Sequence, residues 1–304
     1  MIASVLEQQA EPASQSGPKV SVLIFSHNTR DALRGCLEAL ERSKSAPETE
    51  VLVVDSGSTD GSATLDADFP WVTMLRLPLH AGATKAINIG TRTAKADYLF
   101  LMDTIVRVEP DTVSKLAAHL DADPEAYAVC PLLMEDGEPA SRPMKLPSRE
   151  TLRAAVRGVP LPAMDLDLSA SVVDVDYPGR TALMIRREFI TGMNYIDKRY
   201  GHYWGDAELA VQIRRANKKI RLLTMIRAHL QDSGSTGSWR DDPVLAADYI
   251  NGAVELAGKH FGGGVKLSAV LWTLGEALKS PFSGFAWTRF LRVLSGEKID
   301  SGLK

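Results

Sequence analysis

Short β-branched and apolar runs alternate with helix-period stripes through the first half of the chain, and that alternation predicts an α/β fold. Residues 19–25 read as a first strand that runs into Ser26-His27-Asn28-Thr29-Arg30. A helix then starts near Asp31, with Asp31 as N-cap and Leu33, Leu37 and Leu40 on one stripe. Further strands are predicted at 50–54, 72–77, 98–102 and 127–133, with helices in the later part of 80–90 and at 110–122, the latter with Pro110 in its first turn. Strands separated by helices in this way predict a mostly parallel central sheet with right-handed crossovers.

From 135 to 176 the pattern loosens, and six prolines fall between Pro139 and Pro178, as expected of a substrate-side loop or of variable surface. Residues 181–185 restore a short strand, and Leu209, Ile213 and Ala216 mark a helix with Asp206 as its N-cap. A strand at 220–223 precedes three helical stretches, 244–260, 265–278 and 285–294. Leu267, Val270, Leu271, Leu274 and Leu278 form an apolar stripe flanked by Lys266, Lys279, Arg289 and Arg292. That stripe rests either on an anionic membrane surface or against protein, and packing is the reading favoured here. The expected organisation is a disordered lead-in over 1–18, a catalytic unit over 19–240 with halves at 19–134 and 135–240, and a helical extension over 241–304.

Composition narrows the partners. A formal net charge of −3 over 304 residues carries no polyanion-binding signature, so nucleic acid is not an expected partner. Two cysteines, Cys36 and Cys130, are too few for a disulfide framework and lack metal-ligand spacing, as expected of reduced core residues in a cytoplasmic protein. No stretch approaches the roughly 18 apolar residues of a membrane span.

The polar residues at the strand ends carry the chemistry. Tyr98 to Met102 read as a strand buried on both faces, and Asp103 leaves it at the carboxyl end, where open α/β sheets bind ligands. An acid there meets a metal ion or a phosphate-bearing substrate, or else opens an ordinary turn. Asp55-Ser-Gly-Ser-Thr-Asp60-Gly-Ser62 suits either a polar ligand or turn chemistry. Gly82 beside a helix N-terminus offers amides to phosphate, while Lys85 and Asn88 on that helix can face the crevice. No Gly-X-Gly-X-X-Gly follows the first strand, which argues against a nicotinamide-dependent dehydrogenase. Tyr200, Tyr203 and Trp204 either wall a sugar-stacking pocket or pack in the core.

These residues, taken in order, carry a family resemblance. Val20-Ser-Val-Leu-Ile with Asn28, Val53-Val-Asp55-Ser-Gly-Ser-Thr-Asp60-Gly-Ser62, Gly82 with Ala86-Ile-Asn88-Ile-Gly90, Leu99-Phe-Leu-Met-Asp103, Trp204-Gly-Asp206-Ala-Glu208-Leu209, and His229 with Ser233 form the series. Over 19–235 it resembles the family 2 glycosyltransferases of GT-A fold, in particular bacterial rhamnosyltransferase-like members. The resemblance implies a hexosyltransferase that moves a sugar, with inversion, from a nucleotide-diphosphate donor to a saccharide or lipid-linked acceptor hydroxyl, using a divalent cation, Mg2+ or Mn2+. Ser26 and Asn28 would lie along the nucleotide, and Asp55 would accept a hydrogen bond from the pyrimidine of a uridine or thymidine donor. Gly82 and Lys85 would approach the ribose and diphosphate, with Asn88 supporting their helix. Asp103 matches the last acid of the Asp-X-Asp metal motif, His229 the downstream histidine that joins metal or diphosphate, and Asp206 the general base.

The family context is cell-surface polysaccharide or glycolipid synthesis on the cytoplasmic face, with peripheral membrane contact through the C-terminal helices and homodimerisation as further expectations. Two departures stand out: Leu101 occupies the place of the first metal-motif acid, and Gly205 that of the first acid in the Glu-Asp pair. They motivate a competing reading, a nucleotide-sugar-binding protein without catalysis. A nucleotidyltransferase ranks last, because Ser26 to Arg30 contain one Arg and no Gly.

Overall fold

The computed structural model describes residues 17–43, 49–140, 142–231 and 240–299. All but the last two residues of the lead-in expected over 1–18 lie outside the described residues, as does Ser233. The first half runs β1 (Val20–Ser26), α1 (Arg30–Arg42), β2 (Thr49–Ser56), β3 (Val72–Leu77), α2 (Ala83–Thr93), β4 (Tyr98–Asp103), β5 (Val106–Val108), α3 (Thr112–Ala122) and β6 (Ala126–Glu135). The second half adds β7 (Glu138–Pro139), α4 (Arg149–Ala155), β8 (Val172–Val175), β9 (Ala182–Arg186), α5 (Arg187–Gly192), α6 (Gly205–Arg215) and β10 (Lys219–Leu230). Three helices follow, α7 (Pro243–Phe261), α8 (Val265–Lys279) and α9 (Gly284–Ser295).

Among the described residues one sheet has the order β3-β2-β1-β4-β9-β6-β10-β5, with β7 on β6 and β8 on β10. The strands β3, β2, β1 and β4 are mutually parallel, as the strand-helix alternation predicts. The β6 and β10 pair is parallel too. Between these two parallel groups β9 runs antiparallel to both β4 and β6. Side-chain alternation along the central strands builds a core on each face. In β4, Leu99 and Leu101 face one side while Tyr98, Phe100 and Met102 face the other. Cys36 and Cys130 are buried, and burial pushes both thiols up to about 12, so both are unreactive core residues.

Several local expectations change in the fold. Helix α1 begins at Arg30 with Thr29 at its N-cap, and Asp31 sits in the first turn. The capping acceptor comes from the next loop instead, since Arg30 N–H donates to Asp60 Oδ2 at 2.8 Å. Helix α6 begins at Gly205 after Trp204, so Asp206 occupies its first turn rather than its cap. Ala216, expected on the buried stripe of that helix, is exposed at its C-cap. The loose segment 135–176 contains α4, closed by a Ser148–Thr151 capping box, and the edge strand β8.

The C-terminal helices share the core of the sheet: Ala247, Ile250, Leu256, Val265, Ala269 and Val293 belong to the same cluster as Leu99 and Leu209. Helix α8 packs through the small face Val265, Ala269, Thr273 and Ala277. Leu267, Leu271 and Leu278 of the expected packing stripe turn outward, because close helix approach favours the smaller side chains.

Glu208 ties α6 to α7. Its carboxylate is fully buried and accepts from Tyr200 Oη at 2.8 Å, Gln212 Nε2 at 2.7 Å, Lys259 Nζ at 2.7 Å and His260 Nε2 at 2.5 Å. Burial alone would raise its pKa, yet these donors outweigh it and hold the carboxyl down at about 2. A depressed acid stabilises the fold above its unfolded pKa, and that stability is lost as pH falls through the folded value. Glu208→Ala leaves buried donors without an acceptor, and the expected loss is about 3–5 kcal/mol at pH 7. Urea denaturation at pH 7 checks this, and the difference from wild type should shrink as pH falls from about 4.5 toward about 2. A midpoint equal to wild type at pH 7 would remove the role given to this network.

Candidate functional site

The carboxyl ends of β2, β1 and β4 form one edge. Asp55 stands opposite Ser26, and Asp103 opposite Phe25, so the two acids flank β1 with about 10 Å between their strands. Asp55 is buried, and its Oδ2 accepts the Ser58 N–H at 3.0 Å. Its Oδ1 is buried with no hydrogen-bond partner among the described residues. Such an oxygen is costly unless something donates to it.

The loop after β1 braces this acid. Asn28 adopts φ 51°, its N–H donates to Ser58 Oγ at 2.9 Å, and its Oδ1 accepts the Thr59 N–H at 2.8 Å. Asn28 therefore shapes the loop that holds Asp55. Ser26 is fully buried with its hydroxyl 3.1 Å from that of Thr29, so its side chain is turned inward. His27 donates from Nδ1 to the Ser56 carbonyl at 2.8 Å and stacks on His80, with centroids 3.9 Å apart. Burial, then the neighbouring His27, lowers His80 to about 4, which leaves it neutral at pH 7.

The helix after Gly82 is closed rather than open to an anion. Thr84 N–H in the first turn of α2 donates to the Gly201 carbonyl at 3.2 Å, and a Cβ at Gly82 would lie 3.0 Å from Ile299. The segment around Gly201 and the chain after α9 cover the turn that the sequence left free for phosphate. Asn88 is buried and pairs twice with Ile196, donating to its carbonyl at 2.7 Å and accepting its N–H at 3.0 Å, so it does not face the crevice. It ties α2 to the chain ahead of α6. Lys85 is half-buried on α2.

Asp103 meets a residue that the strand pattern did not single out. Its N–H donates to the Thr181 carbonyl at 3.0 Å, and its Oδ1 lies 3.7 Å from Arg180 Nη2. An antiparallel strand enters a sheet where its parallel neighbours leave, so the residues just before β9 arrive beside Asp103. Arg180 Nη2 also donates to His202 Nε2 at 3.4 Å, and its charge is held by Asp103, Asp206, Tyr177 and Tyr203 together. Phe25, Val54, Ile87, Asp103 and Arg180 line one small cleft. His202, whose pKa burial and the Arg180 charge drive well below the ordinary value, joins this cluster to Phe25 and His80 at centroid distances of 5.4 and 5.8 Å.

Asp206 completes the cluster from the first turn of α6. Only 7% of it is exposed, its Oδ1 accepts the Ala207 N–H at 3.0 Å, and the Tyr177 phenol donates to its carboxylate. Burial raises its pKa and outweighs the lowering by Arg180 and these hydrogen bonds. A carboxylate tuned upward in a crevice has the properties of a general base. Gly205 before it is a packing position, since a Cβ there would lie 2.6 Å from Thr84 Oγ1 and 3.2 Å from Ile196. Of the aromatic cluster, Tyr200 and Trp204 are core, the latter donating Nε1–H to the Tyr249 carbonyl at 2.8 Å. Tyr203 remains half-buried at the crevice, with its ring 4.6 Å from His202.

The cation site implied by the resemblance is not assembled by these residues. Leu101 is 2% exposed and belongs to the core, paired with Leu183 and Leu23. His229 is exposed and directs Nε2 to Glu109 at 3.2 Å, while Asp103 already faces a guanidinium. Among the described residues no group of three or more His, Cys, Asp or Glu side chains is placed to hold a metal ion. Asp103 and His229, the two residues that the resemblance gives to the ion, have separate protein partners in this structure.

The chain is similar to known glycosyltransferases in sequence and in fold. An uncharacterized glycosyltransferase, YfnE of Bacillus subtilis, is 32% identical over 119 residues, which is 38% of this chain and 30% of that protein. The chain thus spans under a third of that curated relative's length. A mannosyltransferase of Pyrobaculum calidifontis, solved with GDP-Man and Mn2+, superposes with a TM-score of 0.52 at 17% identity, covering 97% of this chain and 90% of that one. S. aureus TarS 1–349, solved with UDP-GlcNAc, gives a TM-score of 0.56 at 12% identity, covering 91% and 79%. Both similarities are of fold, and the fold is GT-A. The model of Glycosyl transferase family 2 matches residues 21–186, more than half of the sequence, and the chain belongs to that family.

Proposed function

We propose that this chain transfers a sugar from a uridine or thymidine diphosphate donor to an acceptor hydroxyl, with inversion at the anomeric carbon. The observation that carries the reading is Asp206: a desolvated carboxylate with a raised pKa, in the same cluster as Asp103 and Arg180. In one displacement the acceptor oxygen bonds to the anomeric carbon, the bond to the diphosphate oxygen breaks with its electron pair, and Asp206 takes the hydroxyl proton. One base and one displacement invert the configuration.

Asp55 supports a pyrimidine donor. One of its oxygens is occupied by Ser58 and one is unpartnered, which suits the single ring N–H that uracil or thymine presents beside its carbonyls. A saccharide or lipid-linked acceptor in cell-surface glycan synthesis, on the cytoplasmic side, fits the family. No helix among the described residues is long and apolar enough to cross a membrane. Leu267, Leu271, Leu278 and Phe282 stand exposed beside Lys266 and Lys279, which supports a peripheral contact with the lipid that carries such an acceptor. The competing reading, binding without turnover, drew on Leu101 and Gly205. Both are packing positions, and Asp206 and Arg180 are present whatever stands at either.

Asp206→Asn should lower kcat by about 10²–10⁴ fold in a donor-turnover assay. Its melting temperature should not fall. A folded pKa raised by burial means that the ionised group costs stability as pH rises through it, and Asn removes that charge. For the same reason the acid limb of wild-type kcat/KM should lie above the ordinary carboxylate range. Asp55→Ala should weaken UDP or dTDP binding in calorimetry by roughly 10-fold or more. Equal affinity in that variant would exclude Asp55 from the base site.

A further inference from the structure

We infer that Arg180 supplies the positive charge at the donor's diphosphate in this chain, in the place where the family resemblance implies a divalent cation. The inference rests on the donor-site reading above and concerns how the leaving group is stabilised.

The sheet register brings Arg180 to the required place. Asp103 N–H is bonded to the Thr181 carbonyl just beyond the β4 and β9 ladder, so Arg180, the residue before Thr181, sits at the edge where Asp55 and Asp103 emerge. The side chain is four-fifths buried, lines the same cleft as Asp103, and lies 3.7 Å from that carboxylate. This approach is too long for a tight bidentate pair, so the fork retains donors for a second anion.

Asp206 is its second carboxylate neighbour, and uncharged groups complete its surroundings. His202 accepts from Arg180, and Tyr177 hydrogen-bonds to Asp206. Tyr177 is fixed by a two-way backbone pairing with Met144 at 2.7 and 3.0 Å, so the segment that delivers Arg180 is anchored at both ends. Of the two residues expected to hold a cation, Asp103 faces Arg180 itself and His229 faces Glu109, while Leu101 puts a core side chain where the motif has its first acid.

In the transfer step the C–O bond to the diphosphate breaks and its electron pair stays on the phosphate oxygen. That oxygen gains charge as the acceptor's proton passes to Asp206. A guanidinium hydrogen-bonded to the diphosphate stabilises the gain without a metal ion. Arg180 then touches substrate, and Asp103 positions it.

Calorimetry with UDP, dTDP and uridine, each in excess EDTA and again with Mn2+, tests this on the wild-type chain. A nucleoside diphosphate should bind in EDTA within about threefold of its affinity in Mn2+, and far more tightly than uridine. Arg180→Ala should lose on the order of 10–100 fold in diphosphate affinity and little for uridine, with Arg180→Lys recovering part. Binding that disappears in EDTA, or that survives Arg180→Ala unchanged, overturns the inference and leaves the donor site standing. If neither diphosphate binds in either condition, the donor-site reading itself fails and takes the inference with it. The EDTA comparison needs no variant, so a poorly folded Arg180→Ala does not decide the matter.

Discussion

The antiparallel pairing of β4 with β9 is the constraint on which the crevice depends. A parallel strand starts at the far end of the sheet, and the residues preceding it lie away from the ligand edge. Because β9 runs the other way, Tyr177 and Arg180 arrive where β1, β2 and β4 end. The same pairing joins the parallel strands of the first half to β6 and β10. One strand of five residues thus fuses the two halves of the sheet and brings a cation to the acids of the first half.

The acid contributed by the second half depends on a different set of contacts. Asp206 sits on α6 within two residues of Glu208, and Glu208 is held by Lys259 and His260 of α7. Asp248 of the same helix accepts His202 N–H at 2.7 Å and Ile299 N–H at 3.0 Å. Gly201 makes this approach workable: its φ is +63°, and a Cβ would fall 2.2 Å from the Asp248 carboxylate. The helical extension therefore fixes both the base and the histidine beside Arg180. A buried, fully donated carboxylate is a rigid link.

What could be read from the chain follows from range. Strand β3 agrees to the residue with its predicted run, and β4 differs only in taking in Asp103; for β4, burial on both faces leaves an unbroken apolar signature. Asp55, Asp103 and Asp206 stood out because acids at strand ends and helix starts are local patterns. Arg180 did not, since the short run at 181–185 shows that a strand exists but not its direction. Glu208 was visible within the quoted Trp-Gly-Asp-Ala-Glu motif, yet two of its four partners, Lys259 and His260, lie more than 50 residues away. The closing of α2 by Gly201 and Ile299 is equally non-local. An N-terminal turn looks free until the covering segment is known.

Placing a guanidinium between two carboxylates raises a conflict. A cation that steadies a leaving diphosphate also lowers the pKa of a nearby base, and at an effective dielectric of about 20 a charge 4 Å away is worth about 4 kcal/mol. Asp206 nonetheless stays raised, because its burial outweighs Arg180 and Tyr177 together. The division of labour is physical. Asp103 is a quarter exposed and shares the guanidinium at 3.7 Å, so it takes much of the charge at low desolvation cost. Asp206, sealed by the first turn of α6 and by Tyr177, keeps its basicity. An anion arriving at Arg180 competes for the same field, and whatever the guanidinium gives to a diphosphate it withdraws from Asp206, which makes the base stronger when a donor is in place.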